Sequence, residues 1–184
     1  MTETTGTTTG TTSGTTGLRT AVAGVPLTDP RVVRAVELVW REAELLDRAD
    51  YPAWDALYAE DATYVVPIDP HVEEFDDVLN MVYDDTRMRR MRIVRMTEGH
   101  SLAAVDAART VRTVSRFVPA AVSGTEVVLR SAQVLVAYKR GRHDLWVGDV
   151  EHRIRLREDG DRIVRKVVRL VDSEGAPPAA GFLL

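Results

Sequence analysis

The histidines are the side chains of this sequence that could bind a metal or transfer a proton near neutral pH. There are four, and the chain has no cysteine. They are His71, His100, His143 and His152. No two of them have the i,i+4 spacing of a helical metal site, and without cysteine no thiolate can hold an iron–sulfur cluster. We therefore expect no metal and no bound cofactor in this chain.

His152 is the histidine whose surroundings in the sequence are most informative. It alternates with Val150 and Ile154 along a predicted strand, which places it on the apolar side. There it could act as an acid or base in a pocket. It could equally be a core or interface histidine with one hydrogen-bond partner. We favour the second interpretation, because a lone histidine is not a catalytic constellation.

Tyr64, Asp84 and Asp85 are further candidates for chemistry. One aspartate could serve as a general base, and the Tyr64 hydroxyl could donate to an oxyanion. Alternatively, the two carboxylates are solvated or paired with nearby arginines, and Tyr64 is a core aromatic whose hydroxyl finds a partner.

Five arginines within nine residues could form a docking surface for an acidic partner, because arginine suits interface ion pairs. They are Arg87, Arg89, Arg90, Arg92 and Arg95. A solvated helix face balanced by neighbouring aspartates is the alternative. No aromatic residues interleave with the run, and the net charge is −4 with a pI of about 5.6, so we expect no nucleic-acid partner.

Helices precede strands along the chain. Asp29 followed by Pro30 is typical of a helix start, and the spacing of Val32, Val36 and Val39 predicts an apolar stripe continuing to Leu46. Val33 and Trp40 lie beside that stripe. A second, short helix is predicted to begin at Pro52 and to end at Asp61. Its apolar residues would be Trp54, Leu57 and Tyr58. A short strand should follow over 64–66 and end at 67, and 73–96 is predicted to be helical.

Four strands rich in valine, leucine and isoleucine are predicted after residue 110. Their ranges are 111–121, 126–140, 144–157 and 162–171. Turn residues separate them, most clearly Asp159 followed by Gly160. Helices laid on one face of an antiparallel meander make an α+β domain.

Residues 1–24 are expected to be a disordered Thr/Gly-rich tail, and 25–184 a single folded domain. No apolar run approaches the length needed to span a bilayer, and no secretory signal is recognisable. The composition is compatible with a cytoplasmic protein.

Several blocks of this sequence, in order, resemble the aromatic-ring-hydroxylating dioxygenase small (β) subunits. They are 42–47 (EAELLD), 54–58 (WDALY), 61–67 (DATYVVP), 83–85 (YDD), 92–97 (RIVRMT), 163–170 (IVRKVVRL) and 182–184 (FLL). The resemblance implies the cystatin-like cone, an α+β barrel, of the nuclear-transport-factor-like, SnoaL-like and ketosteroid-isomerase-like superfamily. It also implies that a partner α subunit carries the Rieske cluster and the mononuclear iron, in an assembly of three α and three β chains.

Two hypotheses about function follow. In the first, the chain is a non-catalytic structural subunit of a dioxygenase used in aromatic catabolism, and a sheet face buries apolar area against copies of itself in a trimer. In the second, it is a stand-alone enzyme or binder with an open apolar cavity in the cone. Tyr64, Asp84, Asp85 or His152 would then point into that cavity.

Overall fold

The computed structural model describes residues 24–97, 108–175 and 181–184. The predicted tail, apart from Gly24, lies outside the described residues, as does His100.

The first helix begins where the sequence predicts. Helix α1 spans Pro30–Asp47, and the Asp29 side chain caps it by accepting a hydrogen bond from the backbone N–H of Arg31 at 2.9 Å. Val32, Val39 and Leu46 are buried, as the stripe predicts. Trp40, placed beside the stripe, is 54% exposed, whereas the acidic Glu42 is buried. The buried face therefore carries a charge.

The second helix is shorter than predicted, because the chain enters the sheet early. Helix α2 spans Tyr51–Asp55, and strand β1 spans Tyr58–Pro67. The predicted helical positions Leu57 and Tyr58 are instead drawn toward the last strand: Ile163 donates its backbone N–H to the Leu57 carbonyl at 2.9 Å, and Tyr58 pairs with Ile163. Sheet pairing outweighs the local helical pattern here.

The prediction of one helix over 73–96 is wrong in its first half. Strand β2, Asn80–Asp84, pairs antiparallel with β1, and helix α3 begins only at Thr86 and ends at Thr97. Asp85 separates the two elements and accepts a hydrogen bond from the Met88 backbone N–H at 2.7 Å. This cap fixes the start of the helix.

The four-strand meander is confirmed. Its strands are β3 (Arg109–Val122), β4 (Glu126–Lys139), β5 (Arg142–Arg155) and β6 (Arg162–Leu170). The sheet has six strands in the order β2-β1-β6-β5-β4-β3. An antiparallel sheet was predicted, and one pair of strands departs from it. The meander brings β6 beside β1 in the same direction, and these two strands pair in parallel.

Two local features of the strands accompany the curvature of the sheet, which is an open cone. Strand β3 carries a bulge between Ser115 and Val118, with Arg116 at a positive φ of 52°. A bulge increases local twist and bends its strand. In β5, Gly148 lies so close to β6 that a methyl group there would collide with the main-chain oxygen of Arg169. The strands can approach this closely only because residue 148 has no side chain.

The helices and the curled sheet enclose the core, which confirms the predicted α+β architecture. Helix α1 packs across β3 and β4, and α3 packs on β1 and β2. Apolar side chains from α1, α2 and the concave face fill the interior. Leu183 and Leu184 are buried in the same core. Among the described residues, no helix is long and apolar enough to cross a membrane.

Candidate functional site

A buried carboxylate lies at the centre of the cone. Glu42, on the inner face of α1, receives hydrogen bonds from side chains of four other elements. Its Oε1 accepts from Trp54 Nε1 at 3.1 Å, Tyr58 OH at 2.6 Å and Lys166 Nζ at 3.0 Å. Its Oε2 lies 2.9 Å from His152 Nε2. The carboxylate thus ties α1 to α2, β1, β5 and β6.

The electrostatics of this cluster follow from burial and pairing. Burial would raise the pKa of Glu42, but the charges of Lys166 and His152 and the hydrogen bonds outweigh it, so the pKa falls well below its usual value. Burial lowers the pKa of Lys166, although Glu42 opposes that shift. Burial and the neighbouring Glu42 charge raise the pKa of Tyr58. The carboxylate is therefore held ionised against its ammonium partner.

The segment 181–184 closes the cone above this cluster. Lys166 Nζ donates to the Leu184 main-chain oxygen at 2.8 Å, and the Tyr64 hydroxyl lies 3.3 Å from the same oxygen. The Leu184 backbone N–H donates back to Tyr64 OH at 3.1 Å. The buried Arg112 guanidinium donates to the Leu183 main-chain oxygen and to Asp47. Four residues of main chain therefore occupy the position where a pocket would open.

Two of the four residues considered for catalysis lie in this interior, fully engaged. His152 contacts Glu42, and the Tyr64 hydroxyl is bound to Leu184. Burial raises the pKa of Tyr64, so its hydroxyl stays protonated. The two aspartates lie elsewhere. Asp84 is buried but accepts two hydrogen bonds from Arg92, at 2.6 and 2.9 Å, whereas Asp85 is exposed and caps α3.

In the part of the chain that the structure describes, these four residues do not line one open cavity. They are divided between the Glu42 cluster, the Asp84–Arg92 pair and the cap of α3. The stand-alone enzyme hypothesis requires an open apolar cavity lined by them, and the space is filled by side chains and by residues 181–184. The arrangement is suited to holding elements together rather than to exchanging protons with a substrate.

Sequence reasoning missed Glu42 and Lys166, the two charges at the centre. Both positions carry a weak signal. Glu42 falls three residues after Val39 and four before Leu46, within the buried stripe. Lys166 and Val168 lie on the same face of β6. Lys166 is directly opposite His152 of the neighbouring strand β5. A charge on an apolar face at two distant positions is the pattern that indicates a buried ion pair.

The remaining histidines form no cluster. His71 lies in an exposed loop after β1, and His143 packs against Tyr138 at a ring distance of 4.9 Å. Within residues 24–97, 108–175 and 181–184, no three histidine, cysteine, aspartate or glutamate side chains converge as a metal site. The chain has no cysteine, so its residues do not fit a Rieske cluster.

The five arginines proposed for docking divide into three groups. Arg89 is buried, with its Nε 2.7 Å from Asp55, and Arg92 pairs with Asp84, so both fasten α3 to the domain. Arg90 is exposed but bridges Asp55 and Glu60. Arg87 and Arg95 are exposed, and neither forms an ion pair with another described residue. With Met88, Met91 and Val94 they form what we call the α3 surface.

The convex face of the sheet is covered at one end and bare at the other. At the β1–β6 end, the loop after β1 places Phe75 on Val65 and Val167. At the other end, Val111, Val136 and Leu145 are adjacent across β3, β4 and β5. Val111 is 67%, Leu145 64% and nearby Val171 76% exposed. We call the residues at this bare end the outer patch; they are Val111, Val134, Val136, Leu145, Val147 and Val171.

Comparison with known proteins identifies relatives of one kind. The model of the ring hydroxylating beta subunit family matches residues 41–174. The small oxygenase component of the p-cumate 2,3-dioxygenase system of Pseudomonas putida is 36% identical over 132 residues, covering 71% of this chain and 73% of that protein.

Solved structures share the fold. The β subunit of benzoate 1,2-dioxygenase from Burkholderia mallei superposes with a TM-score of 0.66 at 22% identity, over 82% of this chain and 95% of that one. Naphthalene 1,2-dioxygenase with bound indole gives 0.70 at 17% identity, over 82% and 83%. An NTF2-like protein with a cystatin-like fold from Novosphingobium aromaticivorans gives 0.56 at 20% identity, over 79% and 85%. The chain belongs to the family of ring-hydroxylating dioxygenase β subunits.

Proposed function

We propose that this chain is the non-catalytic β subunit of an aromatic-ring-hydroxylating dioxygenase. It supports an α subunit that carries the Rieske cluster and the mononuclear iron. The observation that carries the proposal is the paired interior: Glu42, His152 and Lys166 contact one another and are closed off by residues 181–184. Groups used in this way hold a scaffold and are not accessible to an arene.

The outer patch supports self-association into the trimer of an α3β3 hexamer. Exposed aliphatic side chains that are contiguous across several strands mark interfaces more often than free surface. The chain's own loop covers the β1–β6 end of the same face, through Phe75, but the described residues leave Val111 and Leu145 bare. A second copy of the chain would bury that end.

The α3 surface supports docking to the α subunit. Met91 and Val94 are each about half exposed, and Arg87 and Arg95 flank them. Methionine adapts to irregular partner surfaces, and arginine forms bidentate pairs with carboxylates. A partner surface with acidic residues around an apolar centre would complement it. Because Arg89 and Arg92 anchor the helix from behind, the surface is held in a fixed position.

Co-expression with the α subunit of the same dioxygenase system would test the proposal. We expect a hexamer by native mass spectrometry, with all iron in the α chains. The chain purified alone should be colourless and should not oxidise arenes. Stoichiometric iron in the isolated chain, or turnover by it, would overturn the assignment.

A charge reversal separates the α3 surface from general charge effects. The double substitution Arg87→Glu, Arg95→Glu should prevent co-purification of the α subunit while the domain stays folded. The matched control reverses two exposed arginines, Arg41→Glu on α1 and Arg48→Glu at its C-cap, and should leave assembly intact. Equal loss of assembly in both variants would argue against α3 as the docking element.

A further inference from the structure

Met91 is the most exposed methionine among the described residues, and it lies at the centre of the α3 surface. Its side chain is 50% exposed, against 44% for Met88 and 36% for Met81. The remaining described methionine, Met96, packs against the core. A peroxide in solution must reach a thioether sulfur before it can oxidise it. Oxidation of the folded chain should therefore begin at Met91.

The spacing along α3 places Met91 between two arginines. Arg87 and Arg95 lie four residues before and four residues after it, so each is its neighbour one helical turn away. Both arginines are exposed, and neither forms an ion pair with another described residue. A thioether sulfur is only a weak hydrogen-bond acceptor, so it makes little use of their N–H groups. One row of the helix thus combines an oxidisable sulfur with two sets of charged donors.

Hydrogen peroxide, the two-electron reduction product of dioxygen, is the oxidant that a subunit of an oxygenase would meet. In the reaction, the Met91 sulfur donates an electron pair to one peroxide oxygen, and the O–O bond breaks. The departing hydroxide takes up the proton carried by the transferred oxygen and leaves as water. The sulfur is oxidised, the peroxide is reduced, and the product is methionine sulfoxide.

The sulfoxide oxygen would change what the α3 surface can bind. It is a strong acceptor between Arg87 and Arg95, and hydrogen bonds from ionised donors are stronger than those from neutral ones. The two guanidiniums would then donate to this oxygen instead of to carboxylates of a partner. The oxygen also adds a polar group to the apolar centre of the surface, between Met88 and Val94, where covering it costs binding free energy. Both effects weaken docking.

We propose that Met91 is an oxidation site, and that its sulfoxide, held by Arg87 and Arg95, withdraws the α3 surface from the α subunit until it is reduced. The inference rests on the proposed function, because the surface it regulates is the one assigned to α-subunit docking. Oxidation acts on the subunit before assembly, since a docked α chain would cover the sulfur. Methionine sulfoxide reductases would reverse it, so oxidised subunits are kept out of the assembly only for a time.

Peroxide treatment of the purified full chain, followed by measured binding to the α subunit, tests the proposal. Peptide mass spectrometry should find the added oxygen at Met91 while Met96 is still unmodified. The dissociation constant for the α subunit should rise about tenfold. Incubation with methionine sulfoxide reductases should restore the original value, which a loss caused by general damage would not do.

A substitution that removes the sulfur identifies the site. Met91→Leu conserves volume and apolar character, so the domain should stay folded. The ratio of its dissociation constants with and without peroxide treatment should be close to one. Met81→Leu, on β2 and outside the α3 surface, is the matched control and should keep the ratio of about ten.

The outcomes separate this inference from the function on which it rests. An untreated chain that does not bind the α subunit contradicts the proposed function, and the inference with it. Untreated binding that is unchanged once Met91 is oxidised overturns the inference alone. The same holds if Met96 is oxidised ahead of Met91, or if the peroxide response persists in Met91→Leu.

Discussion

Each face of the sheet carries one exception to the usual distribution of polar and apolar side chains. On the concave side, Glu42 of α1 is buried against His152 and Lys166 of the sheet. The convex face exposes Val111 and Leu145 at one end. Burying charge is costly unless every charge is paired, and exposing aliphatic area is costly unless something covers it.

The difference teaches that the two faces have different partners. The inner charges are satisfied within the chain, so they specify how the helices dock on the sheet. The outer aliphatic residues are not covered by other described residues, so we expect another protein molecule to cover them. Substitutions on the two faces should therefore differ in kind: inner ones change stability, and outer ones change assembly.

The largest effect is expected from Glu42→Gln. It leaves the Lys166 ammonium buried without its counter-charge, and removing one partner of a buried ion pair typically costs about 3–5 kcal/mol. Urea unfolding followed by circular dichroism would measure the loss. The control is Glu44→Gln on the exposed side of the same helix, where the Arg48 pair should contribute less than about 1 kcal/mol. Similar losses in both variants would remove the distinction between the faces.

Acid should erase the advantage of the wild type over Glu42→Gln. The pKa of Glu42 is depressed in the folded state, so its stabilising contribution is complete above the unfolded value, near 4.5, and declines as the pH falls below it. The difference in unfolding free energy between the two proteins should shrink from pH 6 toward about pH 3. A difference that does not change with pH would mean that Glu42 is not held ionised.

A smaller effect is expected from Gly148→Ala, which tests the close approach of β5 and β6. The added methyl group meets the main-chain oxygen of Arg169, and overpacking of this kind costs about 1–3 kcal/mol. Thermal unfolding would report it. Gly124→Ala, in a turn with open space around it, should leave the unfolding temperature nearly unchanged. A neutral Gly148→Ala would show that the strands can separate without loss.

The smallest effect on stability is expected from Leu145→Lys in the outer patch. The side chain is exposed, so the unfolding free energy should change by no more than about 0.5 kcal/mol. The proposed trimer should dissociate to monomers, as measured by light scattering. Leu79→Lys, at a side chain that is 81% exposed and distant in the fold, is the control and should leave the proposed trimer intact. A trimer that tolerates Leu145→Lys would place the interface elsewhere.

The sequence predicts the elements that carry a strong local signal. Asp29 and Pro30 mark the start of α1, and the alternation through Val150, His152 and Ile154 places β5 correctly. These features depend on neighbouring residues alone. The start of β1 at Tyr58 and the whole of β2 do not. Tyr58 pairs with the distant Ile163, and β2 pairs with β1 across the intervening loop.

The interior was predictable only in part, for a similar reason. His152 and Tyr64 were correctly placed inside with single partners, but those partners could not be named. Glu42 and Lys166 lie 124 residues apart, and nothing local to either indicates the other. The burial of individual arginines could not be predicted either. Arg89 and Arg95 have similar sequence surroundings, and only the packing of α3 buries Arg89.

The parallel pairing of β1 with β6 affects the order in which the newly made chain can fold. The strand that flanks Tyr64 is Arg162–Leu170, so β1 has no partner on that side until translation has passed that point. At cellular rates, the 124 residues between Glu42 and its ammonium partner take on the order of ten seconds to synthesise. During that interval the Glu42 carboxylate must remain hydrated. We therefore expect the cone to close late in folding and nearly in one step.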